Sequence, residues 1–369
     1  MYYLSYTKRT EKIPIYKSAR SIDNMNTKQT KRIFRILFIL ASISSLYFVP
    51  WIIVKAWIMP LPNSVQEQVN NAIDYGFDGM IVYVDETGKP PAFFASGLKN
   101  RERQIPADPH YLFKIASISK LYVAVAVTKL VSDKRLSLDE TLAHYFLELV
   151  GRIENAEKIT LRLMVQHRSG IPNSTDHTGF WKNPPKSNKE ALGYALDLPA
   201  NFEPDKDYGY SNTNYLLLSE LVGKVVGYSH HQYIKEEILI PLGLNNTFSS
   251  LSEVDIGDVM SGYYVGYEDD FKTENVGMLA TAEDVGIFLR ALNDGSLFDE
   301  GEQEIYSSIY VYEHTGLIVG YQSITKYHKD IDTVVIQFMN TTHFDGYNFN
   351  LSEVFYSRIV KIIRSEKSA

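Results

Sequence analysis

The sequence predicts an α+β domain, α/β in the broad sense: an antiparallel sheet built from both ends of the chain body, flanked by helices, with a mostly helical insertion. Three observations predict it. Alternating strand-like runs with turn signals occupy residues 79–95 and recur after residue 305. Between 117 and about 295 the apolar residues recur at helical spacing. Hydrophobic residues make up 45% and charged residues 22% of 369, which is ordinary globular composition and excludes disorder for most of the chain.

The elements follow in order. Residues 1–35 hold nine Lys/Arg (Lys8, Arg9, Lys12, Lys17, Arg20, Lys28, Lys31, Arg32, Arg35) against Glu11 and Asp23. The chain as a whole is −7, so the body beyond residue 35 is strongly acidic. Such a body is a poor nucleic-acid binder, because phosphate contacts need clustered cations. Residues 36–54 (ILFILASISSLYFVPWIIV) carry no charge. About 20 apolar residues span a bilayer, and basic flanks stay cytoplasmic. The expected organisation is a basic cytoplasmic tail (1–35), a single-pass anchor (36–54), a linker (55–63) and one catalytic domain (64–364). The domain would stand on the far side of the cytoplasmic membrane. The long basic segment and the lack of an Ala-x-Ala site point to an uncleaved anchor.

Ser64 is placed to cap a helix (VQEQVNNAIDYGF), and 79–84 and 92–95 read as strands around the turn Glu86–Pro90. Helices are expected over 119–132, 160–167 and 213–226. Thr281 caps another, with Glu283 and Asp284 in its first turn, where negative charge suits the helix dipole. The runs 305–314, 320–328 and 332–340 read as strands, the last two joined by a hairpin at Lys329-Asp330. Residues 351–364 close with an amphipathic helix.

Cysteine is absent, which excludes disulfides, thiolate metal sites and a cysteine nucleophile. His230-His231 has no third ligand at metal spacing and reads as a solvated turn. No metal or other cofactor is expected. Three short motifs carry chemistry instead. Ser117-Ile118-Ser119-Lys120 is an S-x-x-K, a pattern that recurs at Ser5/Lys8 and Ser323/Lys326. Only Ser117 stands at a predicted helix start, where i and i+3 share a face and free N–H groups favour an oxyanion. Tyr210-Ser211-Asn212 follows a turn-forming run and precedes a helix. A phenol there can be aimed into a cleft, a nearby cation would favour the phenolate, and Asn212 could donate its amide to a substrate carbonyl. His314-Thr315-Gly316 lies where a strand edge could pair with an extended substrate, with Leu317 N–H as a second oxyanion donor beside Ser117 N–H. An unperturbed His314 would be about a quarter protonated at neutral pH. Gly316 removes a side chain where substrate must come close.

Serine, lysine, tyrosine and a strand triad in this order resemble the penicillin-recognising serine hydrolases. The branch of class C beta-lactamases, D-alanyl-D-alanine carboxypeptidases and related esterases is the nearer resemblance. Phe113-Lys114-Ile115-Ala116, the segment Thr160–Pro172 (TLRLMVQHRSGIP), Ile240–Leu244 and Thr281–Asp284 are similar to further landmarks of that group. The resemblance spans about residues 64–360 and implies a beta-lactamase/transpeptidase-like fold.

The resemblance implies Ser117 as the acylated nucleophile and Lys120 as its activator. It implies Tyr210 as general base or leaving-group acid, and Asn212, His314, Thr315 and Gly316 as substrate-binding, Thr315 on a substrate carboxylate. The implied activity is a D-alanyl-D-alanine carboxypeptidase on cell-wall peptide. The alternatives are an esterase or amidase on small substrates, or a silent ligand-binding scaffold. Two positions and one interval depart from the pattern. Many relatives carry lysine at His314 and glycine at Asp205, and the Tyr210–His314 interval is short for class C, which disfavours efficient beta-lactam hydrolysis.

Overall fold

The computed structural model describes residues 27–181, 184–273 and 277–368. Most of the expected cytoplasmic tail, with Ser5 and Lys8, lies outside them. The chain divides into two compact units, one ending at Trp51 and one beginning at Ile52.

In the first unit a helix runs Thr27–Ser45 and passes into a 3-10 turn, Leu46–Phe48. Phe34, Phe38, Tyr47 and Phe48 are exposed. The segment 36–54 is therefore not one continuous helix. Val49 is extended (φ −73°, ψ 128°), as the Pro50 ring requires of the residue before it, and helix resumes at Trp51–Ile58. Among the described residues no single helix is long and apolar enough to cross a membrane, and only this broken pair reaches that length together.

The strands of the second unit are β1 (Gly79–Glu86), β2 (Ala92–Asn100), β3 (Ile105–Pro106), β4 (Phe113–Lys114), β5 (Thr247–Phe248), β6 (Tyr263–Tyr264), β7 (Leu279–Ala280), β8 (His314–Ile318), β9 (Tyr321–His328), β10 (Thr333–Met339) and β11 (Thr341–Thr342). Six of them form one sheet in the order β3-β2-β1-β10-β9-β8. The antiparallel β1/β10 pair, with Met80 opposite Met339 and Glu86 opposite Thr333, joins the two ends of the domain. β3 and β8 are the edge strands, and β8 is the one beside the nucleophile turn.

Both faces of the sheet are covered, which explains why β1 is buried on alternate and intervening residues alike. Met80, Val82 and Val84 pack with Val69, Phe355 and Ile359 from the Val65–Ile73 and Asn348–Ser368 helices. Ile81 and Tyr83 face the opposite core, where the Ser119–Ser132 and Ala282–Asp294 helices lie. Ser64 Oγ accepts from Glu67 N, and Thr281 Oγ1 accepts from Asp284 N, so both caps form as the sequence suggests. The Ser119–Ser132 helix is buried from Lys120 through Leu130. A helix without a polar face belongs at the centre of a domain.

One expected strand is corrected. Residues 305–314 are not extended: Glu302–Ser307 is helical, and extended structure begins only at His314. Lys129 pairs with Glu302 at 3.0 Å, and Tyr306 is buried with its hydroxyl donating to Val311 O. These tertiary contacts override the β-favouring composition of the run.

Candidate active site

The short pairing of β4 with β7, and Ile115 N–H donating to Met278 O at 3.1 Å, deliver the chain to a 3-10 turn, Ala116–Ile118. The Ser119–Ser132 helix starts immediately after it. Ala116 is held at φ +51°, an uncommon conformation for a residue with a Cβ. The turn leaves Ser117 partly exposed at a helix N-terminus, while Lys120 is buried one turn on.

Four side chains from two distant segments meet here. Lys120 Nζ lies 3.1 Å from Ser117 Oγ and donates to Asn212 Oδ1 at 2.7 Å. Tyr210 O–H donates to Ser117 Oγ at 2.9 Å. Burial pushes the Lys120 ammonium down to about 7, so a large fraction is a free amine at neutral pH. Burial pushes the Tyr210 phenol up to about 12, against the smaller opposing effect of its bond to Ser117. The expected phenolate is therefore corrected: desolvation dominates, and Tyr210 is a neutral donor.

Asn212 opens the Asn212–Val226 helix. Its amide N–H groups donate to Thr175 Oγ1 (3.0 Å) and Asn173 Oδ1 (3.3 Å), while its oxygen faces Lys120. Asn212 thus fixes the lysine, and its amide is engaged inside the protein rather than offered to substrate. Asp205, where relatives carry glycine, keeps the left-handed backbone (φ +65°), and its carboxylate pairs with Arg168 at 2.8 Å.

Sequence reasoning did not single out the layer behind Tyr210. The His167 ring stacks on the Tyr210 ring with centroids 4.4 Å apart, and His167 Nδ1 accepts from Ser211 N–H. Burial, then the Lys120 charge, pushes His167 down to about 3. Tyr310 hydroxyl lies 3.0 Å from His314 Nε2, and His314 Nδ1 lies 2.5 Å from Thr315 O. A carbonyl can only accept, so Nδ1 carries the proton and Nε2 accepts from Tyr310. Burial pushes His314 down to about 4, so it is neutral at pH 7 with both nitrogens engaged. The partial protonation expected of an unperturbed histidine is corrected accordingly.

The pleat of β8 sorts the triad. A Cβ on Gly316 would lie 2.5 Å from Ile115 O and 3.2 Å from the Ala116 Cβ, and would also meet Ser323 Oγ. Gly316 therefore lets the edge strand press against the nucleophile turn itself, not only against a ligand. Alternation puts Thr315 on the other face, where it lines a separate cavity with Ile324, Lys326, His328 and Tyr356. Its implied contact with a substrate carboxylate is corrected: the side chain is turned from the Ser117 cleft. Leu317 lines that cleft from the exposed edge.

The cleft is a cavity of about 610 Å³. Ser117, Lys120, Thr175, Trp181, Asn212 and Leu317 are among its lining residues, and no Asp or Glu lines it among the described residues. His230 and His231 also line it; their rings are half-buried on a short helix, so the solvated turn expected there is corrected. Among the described residues no cluster of His, Asp and Glu could hold a metal ion.

The "Beta-lactamase" family model matches residues 61–308, more than half of the chain, and ends just before β8. Protein flp from Staphylococcus aureus (strain MW2) is 24% identical over 196 residues, covering 51% of this chain and 39% of flp. The match thus spans less than half the length of that curated relative. A beta-lactamase from Yersinia enterocolitica is 25% identical over 248 residues, covering 63% of this chain and 60% of that protein. Among solved structures, D-amino acid amidase from Ochrobactrum anthropi SV3 superposes with a TM-score of 0.73 at 20% identity, covering 83% of this chain and 99% of the amidase. A penicillin-binding protein from Bacillus halodurans gives 0.66 at 20% identity, covering 79% and 99%. These structures share the fold. With the family model spanning the nucleophile turn and the tyrosine segment, the chain belongs to the beta-lactamase family, whose members are serine hydrolases.

Proposed function

We propose that this chain hydrolyses amides or esters through an acyl-enzyme on Ser117. The observation that carries the reading is the pair of hydrogen bonds on Ser117 Oγ, one from a lysine held near 7 and one from a neutral phenol. The Lys120 amine takes the Ser117 proton as Oγ attacks the carbonyl carbon. The backbone N–H groups of Ser117 and Leu317 receive the oxyanion. Collapse breaks the carbonyl–leaving-group bond, and Tyr210 O–H gives its proton to the leaving nitrogen or oxygen. Lys120 replaces that proton on Tyr210. Water then attacks the ester carbonyl and gives a proton to the Lys120 amine, and as the acyl–oxygen bond breaks Lys120 returns that proton to Ser117 Oγ.

The substrate reading turns on His314 and Thr315. A carboxypeptidase must bind a free carboxylate, and here the strand histidine is neutral with both nitrogens engaged while Thr315 faces away. This favours amides and esters over D-alanyl-D-alanine peptides, which remain the second reading. A silent scaffold has no use for the Ser117, Lys120 and Tyr210 set.

The N-terminal apolar run would anchor the chain, its basic tail in the cytoplasm and its catalytic unit beyond the cytoplasmic membrane. The exposed Phe34, Phe38 and Phe48 and the nine basic residues support this. Carbonate extraction and protease accessibility of intact cells test it; release of the chain by carbonate contradicts it.

The detergent-solubilised full chain, offered D-phenylalanine amide, p-nitrophenyl acetate and a D-alanyl-D-alanine peptide in parallel, tests the substrate reading. The account expects turnover of amide or ester to exceed that of the free-carboxylate peptide. The reverse order selects the carboxypeptidase, and no turnover of any with no covalent label contradicts the hydrolase.

A further inference from the structure

The cavity does not stop at Ser117. Its lining follows the Ser119–Ser132 helix from Ser119 to Val123, one turn along it. It also follows the Asn212–Val226 helix from Asn212 through Leu216 to Ser219, two turns along it. His230 and His231 line the same cavity. Seven residues of helix rise make about 10 Å, the reach of about three residues of extended chain. Val123 and Leu216 give the shaft apolar walls. Ser219 and the two histidines give the inner part hydrogen-bonding groups without a carboxylate.

This depth has no role in the chemistry at Ser117. The nucleophile and its lysine line it where the two helices begin, and the tyrosine does not line it. Tyr210, the proton donor to the leaving group, is not among the residues lining the cavity, so the cavity extends from Ser117 on the acyl side.

We propose that the slot between these two helices is an acyl-chain subsite that takes a linear, uncharged acyl group reaching about 10 Å from the scissile carbonyl, with a hydrogen-bonding group near its far end. This rests on the acyl-enzyme reading and adds the identity of the acyl partner. Burial keeps both histidines below their ordinary range, so they present neutral ring nitrogens to such a group. An anionic tip would meet no cation at the inner end among the lining residues; Lys114 and Lys186 line other parts of the cavity, Lys114 with its ammonium on Phe271 O.

The test uses the detergent-solubilised full chain and p-nitrophenyl esters of acetate, butyrate, hexanoate, octanoate and 8-hydroxyoctanoate. The expected result is a kcat/KM for octanoate at least tenfold above that for acetate, with 8-hydroxyoctanoate higher again. Val123→Phe and, as a second substitution at a half-buried position, Ser219→Phe plug the slot. Each should bring the octanoate-to-acetate ratio near one, an internal ratio that a general loss of folded enzyme would not change. A flat or falling series in the unaltered chain overturns the subsite, as does an unchanged ratio in either folded plugged variant. Silence toward every ester contradicts the serine-hydrolase reading itself, and the subsite falls with it.

Discussion

The Tyr210 hydroxyl and the Lys120 amine meet on one atom, 2.9 Å and 3.1 Å from Ser117 Oγ, and burial moves them in opposite directions. The phenol goes up to about 12 and the ammonium down to about 7. At neutral pH one group holds its proton firmly and the other can accept one. Pairs of groups whose environments separate them in this way define an acid and a base.

The rate of acylation should therefore follow Lys120. Below about pH 7 the ammonium dominates and cannot take the serine proton, so the rate climbs from pH 5 and levels above pH 8. No falling limb is expected below pH 10, because Tyr210 stays protonated. Lys120→Ala should cost about 10²–10⁴-fold and remove the rise. Stopped-flow acylation by p-nitrophenyl acetate across pH 5–10 measures this, and a bell centred near 7 would contradict it.

Placing a cation on the edge strand should change selectivity. In His314→Lys the ammonium would stand where a neutral ring now sits. Relative to the parent, kcat/KM should rise about tenfold for a peptide ending in a free carboxylate compared with its methyl ester, the scale of a charge-assisted hydrogen bond. Paired assays of the two substrates read the ratio; no change in it means His314 does not face the leaving-group side.

Gly316→Ala tests the contact between β8 and the nucleophile turn. The new Cβ would be forced against Ile115 O, a backbone atom that cannot swing away. Overpacking of this kind costs about 1–3 kcal/mol. Activity should drop more than tenfold while the fold persists, read by kcat/KM together with a thermal melt. Full activity would show that the strand and the turn move independently.

Acid should destabilise the domain through its buried histidines. His167 is held near 3 and His314 near 4, below the ordinary value of 6.5. Between those limits the unfolded chain binds more protons than the folded one, so stability is complete above about 6.5 and declines as pH falls. His167→Asn keeps a residue that tolerates the φ of +56° and removes one such titration. Its stability should decline less steeply from pH 6.5 to 4 in urea titrations. A parallel decline would contradict burial of neutral His167.

Much of the architecture could be read from local signals. Ser64 and Thr281 each stand before an apolar helical pattern, and both cap their helices. Lys329 and Asp330 fall between two alternating runs, and the β9/β10 hairpin turns there. Residues 305–313 misled because β-branched and aromatic composition says nothing of Lys129, which holds Glu302 from a distant helix. The broken N-terminal helix turns on Val49 before Pro50, a restriction visible in the sequence but subordinate to its hydropathy.

The site was legible as residue types and not as orientations. Ser117 and Lys120 are three apart near a helix start, so their approach follows from helix geometry. Thr315 could not be assigned to a face until the pleat of β8 was fixed by Gly316 against Ile115. His167, Asn173 and Thr175 carry no local signal, because their partners Ser211 and Asn212 lie 37 to 44 positions away. His167 alone could have been noticed, as the histidine within the Thr160–Pro172 segment. The reversal at Tyr210 likewise depends on burial, which spacing does not report.

The central claim is that Ser117 becomes acylated, and intact-protein mass spectrometry tests it most directly. The full chain, quenched in acid during turnover of p-nitrophenyl octanoate, should gain the mass of one octanoyl group. Peptide mapping should place that group on Ser117, and Ser117→Ala should gain nothing. An adduct on another residue, or an equal adduct in Ser117→Ala, would contradict the account.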